Sequence, residues 1–143
     1  MWNPRRYLFN LLGYSLAMMV LFTIGVSLFG IILSFLVAAF LPVGLAALTE
    51  GQKYAAMSQT QPDNVSVWRV SAAMAEAYLT ILVVATAILA IGNGQFRADL
   101  GAASLFLLFV LYGGFTAAAL IVIRIAYAFG VKLQLDAENN HTG

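Results

Sequence analysis

Two ionisable side chains, Glu76 and Arg124, lie within long apolar stretches of this sequence. In the hydrocarbon of a membrane a charged side chain is costly, and it usually faces a partner group or a water-filled cavity. Such a residue therefore marks a functional site or a structural contact by default. Both residues are candidates for an ion pair inside the membrane.

The two side chains are expected to converge if they lie on neighbouring antiparallel helices. A helical side chain tilts toward the N-terminus of its own helix. With cytoplasmic termini, that direction is toward the cytoplasm for Glu76 and toward the membrane centre for Arg124. We predict a Glu76–Arg124 ion pair that pins the third helix to the fourth. Two alternatives stay open: Glu76 could take up protons or cations during transport, and Arg124 could extend to the lipid headgroups.

Small residues share the faces of these helices, which predicts close helix packing. Ala72 and Ala73 lie one turn before Glu76. In the last apolar stretch, small residues recur at a spacing of four, which allows two helix backbones to approach closely. The predicted packing residues of that stretch are Gly113, Gly114, Ala117 and Ala118.

The sequence offers no residue pattern for catalysis or for a cofactor. It has no cysteine and a single histidine, and we find no activated nucleophile, metal-ligand spacing or glycine-rich phosphate loop. The net charge of +1 also argues against nucleic acid, which requires a dense basic surface. We therefore predict a protein that is not an enzyme and that uses no metal, cofactor or nucleic acid.

Composition indicates an integral membrane protein. Hydrophobic residues make up 62% of the 143 residues and charged residues only 9%, whereas soluble domains carry about 25% charged residues. A chain this short has too little interior to hide so many apolar side chains from water. The charge-free stretch 7–49 is also longer than the apolar core of a cleavable signal peptide, about 7–15 residues. It is therefore expected to be retained.

The apolar stretches predict a single transmembrane domain, an all-α four-helix bundle. One span needs about 20 residues, so the stretch 7–49 holds two helices with a turn near Gly25 and Gly30. The predicted helices cover residues 8–26, 31–48, 70–91 and 104–129. A polar loop is predicted over residues 49–68, and a polar, frayed tail over residues 131–143 follows Gly130 as a C-terminal cap.

The polar loop carries signals for the start of the third helix. Pro62 ends any extension of the second helix, and Asp63 or Asn64 can cap the third. Trp68 follows, with an apolar ring and a polar N–H that suit the headgroup level. We predict that Trp68 is an interfacial anchor.

The distribution of Lys and Arg predicts that both termini are cytoplasmic. With four spans, Arg97 alone falls on one side of the membrane, and cytoplasmic segments carry the excess of positive charge. The cations on the other side are Arg5, Arg6, Lys53, Arg69, Arg124 and Lys132. A three-span alternative would separate Lys132 from Arg5 and would need an unusually long first helix.

A short motif and its layout resemble a known family. Residues 50–55 read Glu-Gly-Gln-Lys-Tyr-Ala, a polar loop with Pro62 follows, and Trp68 and Arg69 lead into the third helix. This layout resembles a group of small four-span bacterial inner-membrane proteins that have no established activity. The resemblance implies a multi-pass protein of a bacterial inner membrane, and it implies no catalytic or binding residue.

Two functions are compatible with these features. The first is a structural or accessory subunit, with the lipid bilayer and a larger membrane complex as its partners. The alternative is a homo-oligomeric small transporter or channel that uses Glu76. Oligomerisation is expected in that case because four helices alone enclose little volume.

Overall fold

The computed structural model describes residues 3–29 and 35–142, and within them it contains helices and no strand. The all-α class is therefore confirmed for this part of the chain. The first residues of the predicted second helix, 31–34, lie outside the described residues. The helices are α1 Pro4–Phe29, α2 Phe35–Ser58, α3 Asn64–Gly92, α4 Gly94–Ala102 and α5 Leu105–Thr142.

Three segments are long and apolar enough to cross a membrane: Pro4–Ser27, Asn64–Gly92 and Leu105–Asn140. Each exceeds the roughly 20 residues that the hydrocarbon core requires. α2 differs, because an apolar first part is followed by a second part that contains Glu50 and Lys53. The predicted membrane character of the protein is supported by these three segments.

The connection between α2 and α3 is much shorter than the predicted loop over residues 49–68. α2 continues to Ser58, and Gln59 then adopts a left-handed backbone conformation with φ 52°. Asp63 caps α3 by accepting hydrogen bonds from the hydroxyl and the backbone N–H of Ser66. These bonds, that from the hydroxyl first, lower the pKa of the Asp63 carboxyl. Of the two predicted caps, Asp63 is the one used.

α5 does not end at Gly130, and the segment predicted as a polar tail is helical as far as Thr142. Gly130 lies inside the helix where α5 meets α2, and a Cβ atom at this position would overlap the backbone of Leu48. Val131, the next residue, is buried. The glycine therefore permits close packing rather than capping the helix, and the predicted helix end was wrong.

The buried side chains lie in one half of the molecule, which we call the packed half. In the rest, which we call the open half, none of residues 12–27 and 79–118 is buried. The packed half comprises Tyr7 and Leu11 of α1, residues 43–55 of α2, residues 67–78 of α3 and residues 119–131 of α5. The long helices are therefore packed most closely near one end, while in the open half the rings of Phe40 and Phe115 stack with centroids 5.8 Å apart.

An apolar groove of about 600 Å³ separates α3 from α5 in the open half. Leu79 and Val83 line it from α3, and Phe109 and Tyr112 line it from α5. Several of the largest apolar side chains of the open half are exposed. They include Ile88, Ile91, Leu105, Phe106 and Phe109.

The packed half depends on a close approach of α2 to α5. Ala47, Gly51 and Ala55 recur every four residues along α2, and all three are buried. A Cβ atom on Gly51 would overlap the backbone oxygen of Tyr127, just as one on Gly130 would overlap α2. Small residues at such a spacing allow two helix backbones to touch.

Substitution of Gly51→Ala is expected to force α2 away from α5, because the added methyl group meets backbone rather than a flexible side chain. Overpacking of this kind costs about 1–3 kcal/mol. Gly113→Ala is the matched control, since nothing lies within 4 Å of a Cβ atom there. Thermal unfolding in detergent, followed by circular dichroism, should show a lower midpoint for Gly51→Ala only. Equal midpoints for the two variants would contradict the close contact.

Candidate functional site

The principal polar contact of the packed half joins Arg6 of α1 to Glu50 of α2. Arg6 Nε donates to Glu50 Oε1 at 2.6 Å, and Arg6 Nη2 donates to Oε2 at 2.7 Å. Two parallel N–H···O bonds of this kind form the strongest geometry for an arginine–carboxylate pair. Asn10, one turn after Arg6, approaches Oε1 at 3.5 Å. The pair therefore fixes the register of α1 against α2.

The two partners of this pair differ in their access to solvent. The side chain of Glu50 is 1% exposed, whereas that of Arg6 is 28% exposed. The carboxylate is buried because it lies on the same face of α2 as Val43, Ala46 and Ala47, which are fully buried. Arg6 lies near the start of α1 and can keep part of its guanidinium in a polar environment.

A second polar contact joins the same two helices farther along α1. The hydroxyls of Tyr14 and Thr49 lie 3.0 Å apart. Since the Thr49 hydroxyl donates to the backbone oxygen of Leu45 at 2.8 Å, Tyr14 is the donor to Thr49. α1 is thus bound to α2 by two polar contacts about two turns apart.

Aromatic side chains fill the space around the ion pair. The rings of Tyr54 and Tyr127 lie 6.3 Å apart and join α2 to α5. Tyr7, the neighbour of Arg6, is fully buried, and Ser71 of α3 is buried as well. Neither hydroxyl has a hydrogen-bond partner among the described residues. The packed half therefore holds buried polar side chains on α1, α2 and α3, while the guanidinium of Arg6 stays partly exposed.

The predicted ion pair between Glu76 and Arg124 is not formed. The side chain of Glu76 is exposed on α3, and the buried face of that helix carries Ser71, Met74 and Tyr78 instead. Helical spacing places Glu76 outside that face, which is why the two charges do not meet.

Arg124 contacts the start of α3. Its Nη2 atom donates to Asn64 Oδ1 at 3.1 Å, and its guanidinium carbon lies 4.3 Å from the centroid of the Trp68 ring. An arginine over a tryptophan face at this distance forms a cation–π contact. The side chain thus extends toward the start of α3, and Trp68 itself is exposed.

The small residues predicted to pack lie mostly away from helix contacts. Gly113, Gly114 and Ala117 are exposed, and nothing would touch a Cβ atom on either glycine. Ala118 is half-buried. On α3, Ala72 is exposed and Ala73 half-buried. Gly113 and Gly114 do not bring two backbones together, because nothing lies within 4 Å of a Cβ atom at either position. The buried face of α3 carries Ser71, Met74 and Ala75 instead of Ala72 and Ala73.

Sequence reasoning missed both the ion pair and the glycine contact. Glu50 was taken for a loop residue because it follows the apolar part of its helix. The signal that could have found it is the Ala47, Gly51, Ala55 spacing, which continues the helix through Glu50 and marks a buried face. Arg6 gave no comparable signal, since a basic residue before a first span is expected for topology alone.

Removal of one partner of the ion pair should have unequal effects. Arg6→Met leaves the buried carboxylate of Glu50 without a counter-charge, which is expected to cost about 3–5 kcal/mol. Glu50→Gln should cost less, because Arg6 is partly exposed and an amide can still accept one of its bonds. The double variant should be more stable than Arg6→Met alone. Arg5→Met, an exposed neighbour, is the control.

Unfolding midpoints of these four variants in detergent measure the effect. A double variant that is no more stable than Arg6→Met would show that the two side chains do not interact.

Comparison with protein-family models, curated proteins and solved structures finds no match to this chain. Among the described residues, no three or more His, Cys, Asp or Glu side chains are grouped to hold a metal ion. The function is therefore argued from the geometry of the helices alone.

Proposed function

We propose that this chain is a four-span protein of a bacterial inner membrane, with both termini in the cytoplasm, and that it serves as a structural or accessory subunit of a membrane complex. The observation that carries the proposal is the contrast between the packed half and the open half. A chain that holds its own helices firmly at one end and leaves them apart at the other offers apolar surface to further helices.

The geometry of α2 supports a fourth span. α2 is bound to α1 by two polar contacts and meets α5 at Gly51 and Gly130. It therefore runs between two helices that are long enough to cross a membrane. Its apolar part ends where the ion pair begins, so the charged end of α2 lies level with the start of α1.

The placement of charge supports cytoplasmic termini. Arg6 and Glu50 pair near the start of α1, and Arg124 reaches toward the start of α3. Both contacts lie in the packed half. Arg97 lies on α4, which connects the end of α3 to the start of α5, away from the packed half. Cytoplasmic segments carry the excess of Lys and Arg, so the packed half is the cytoplasmic half in this proposal.

Three threonine hydroxyls of the open half favour a structural role over a transport path through that half. Thr23, Thr86 and Thr116 each donate to a backbone oxygen four residues earlier in the same helix, at 2.7–2.8 Å. Hydroxyls bonded in this way are already satisfied and need no substrate. In the packed half, Arg6 and Glu50 are paired with each other and Arg124 donates to Asn64.

One observation favours the alternative of a homo-oligomeric transporter. Glu76 is exposed on α3, so an assembly of several copies could place it along a shared path. In that case proton-dependent flux into vesicles should be lost in Glu76→Gln, and the protein should purify as an oligomer of itself.

Topology can be tested by single-cysteine labelling, because the chain has no cysteine of its own. Cysteine is introduced singly at the exposed residues Asn3, Gln61, Gln95 and Asn140, and intact cells and inverted vesicles are treated with a membrane-impermeant maleimide. Asn3→Cys, Gln61→Cys and Asn140→Cys should react from the cytoplasmic side only, and Gln95→Cys from the outer side only. Reaction of Gln61→Cys from the outer side would refute the fourth span.

The accessory role can be tested with two matched phenylalanines. Phe9 in the packed half is 76% exposed and Phe109 in the open half is 77% exposed. If further helices cover the open half, a stoichiometric partner purified in mild detergent should be retained by Phe9→Ala and largely lost from Phe109→Ala. Equal retention, or purification of the wild-type chain without a partner, would contradict the proposal.

A further inference from the structure

Glu76 lies deep within a candidate membrane span. At 1.5 Å per residue, α3 is about 43 Å long, and Glu76 is about 18 Å from its first residue. A bilayer with its headgroups is about 40–45 Å thick. With Trp68 near the headgroup level, the Glu76 carboxylate therefore falls within the hydrocarbon, not at its edge.

Within the described residues, the Glu76 carboxylate has no partner. The side chain is exposed, and the nearby hydroxyl of Thr80 donates to the backbone oxygen of Glu76 rather than to its carboxylate. The arginines that reach into the packed half are engaged elsewhere, Arg6 with Glu50 and Arg124 with Asn64 and Trp68. An ionised carboxylate at this depth is stabilised by a counter-charge, and the described residues supply none.

The surface around Glu76 fits a helix better than it fits lipid. Ala72, Glu76 and Thr80 lie at successive turns of α3, and all three are exposed. We call this surface the Glu76 face. The small side chains of Ala72 and Thr80 flank the carboxylate, so the backbone of another helix can approach closely.

We propose that the Glu76 face binds a transmembrane helix of a partner subunit that carries a basic side chain at mid-membrane depth. The inference rests on the accessory role proposed above and specifies the chemistry of the partner. Complementary charge selects this occupant. A carboxylate and a cation that meet in hydrocarbon satisfy each other, whereas either one alone is costly.

A second copy of the chain does not supply the missing cation. In a two-fold pair centred on the Glu76 face, the two Glu76 carboxylates would lie close to the axis and repel each other. The exposed cations of the described residues lie on other parts of the molecule: Arg5 and Arg69 near the starts of α1 and α3, Lys53 and Lys132 in the C-terminal parts of α2 and α5, and Arg97 on α4. The counter-charge must therefore belong to a different protein.

The probe that tests this inference is a synthetic alanine–leucine transmembrane helix with one central arginine. The control is the same peptide with glutamine in place of the arginine. The full chain, labelled with a donor fluorophore at Asn140→Cys, is placed in vesicles of phosphatidylethanolamine and phosphatidylglycerol with acceptor-labelled peptide. Energy transfer should show about tenfold tighter association of the arginine peptide. Glu76→Gln should abolish that preference.

Two further variants separate charge from shape. Ala72→Leu should weaken binding of both peptides, because the added side chain blocks close approach on the Glu76 face. Ala85→Leu is its control, since Ala85 is exposed on the opposite side of α3. Asp99→Asn removes an exposed carboxylate of α4 and controls for net charge. Neither control should change the preference for arginine.

Three results would overturn the inference. They are equal binding of the two peptides, a preference that survives Glu76→Gln, and self-association of the chain that depends on Glu76. The cysteine-labelling experiment on the same chain keeps the two proposals apart. A chain that inserts with the proposed topology but shows no preference for arginine refutes the docking of a basic helix only.

Discussion

The structure depends on one constraint, the close approach of α2 to α5 at Gly51 and Gly130. Each glycine faces backbone of the other helix, so no larger residue fits at either point without separating them. In lipid, apolar burial between helices contributes little, and association depends on packing and on polar contacts. The glycine contact supplies the packing. The Arg6–Glu50 pair, whose glutamate directly precedes Gly51, supplies the polar contact.

This arrangement explains why the two halves of the molecule differ. Small residues, a bidentate ion pair and a tyrosine hydrogen bond are concentrated between residues 43–55 of α2 and its neighbours. The open half has large side chains of which none is fully buried within the described residues, its contact between α2 and α5 is the stacking of Phe40 on Phe115, and its threonines bond to their own helices. A subunit whose outer half is completed by other helices accounts for this division. A self-contained transporter would need polar residues along a path through the open half.

The sequence was sufficient for the class of the protein and insufficient for its contacts. The composition and the length of the apolar stretches predicted helices in a membrane. Asp63 was predicted as a cap because helix capping depends on the residues next to the helix start. Gly130 was misjudged because a glycine in a helical stretch signals either an end or a close contact, and only the position of α2 decides between them. Glu76 and Arg124 were predicted to pair because small residues share their helix faces and their side chains tilt toward each other. The buried face of α3 carries Ser71, Met74 and Tyr78 instead, and this rotation about the helix axis separates the two charges. The resemblance to a bacterial family stays a prediction.

The central claim is that the chain packs in one half and stays open in the other. Oxygen accessibility of single spin labels along α5, from residue 106 to residue 131, tests it directly in the isolated chain in vesicles. The account predicts full protection with a helical period at Ala119, Ile123, Tyr127 and Val131, and only partial protection at Leu108, Tyr112 and Phe115, which are half-buried. Full protection of those three positions, equal to that of Ile123 and Tyr127, would show a closed bundle and would contradict the account.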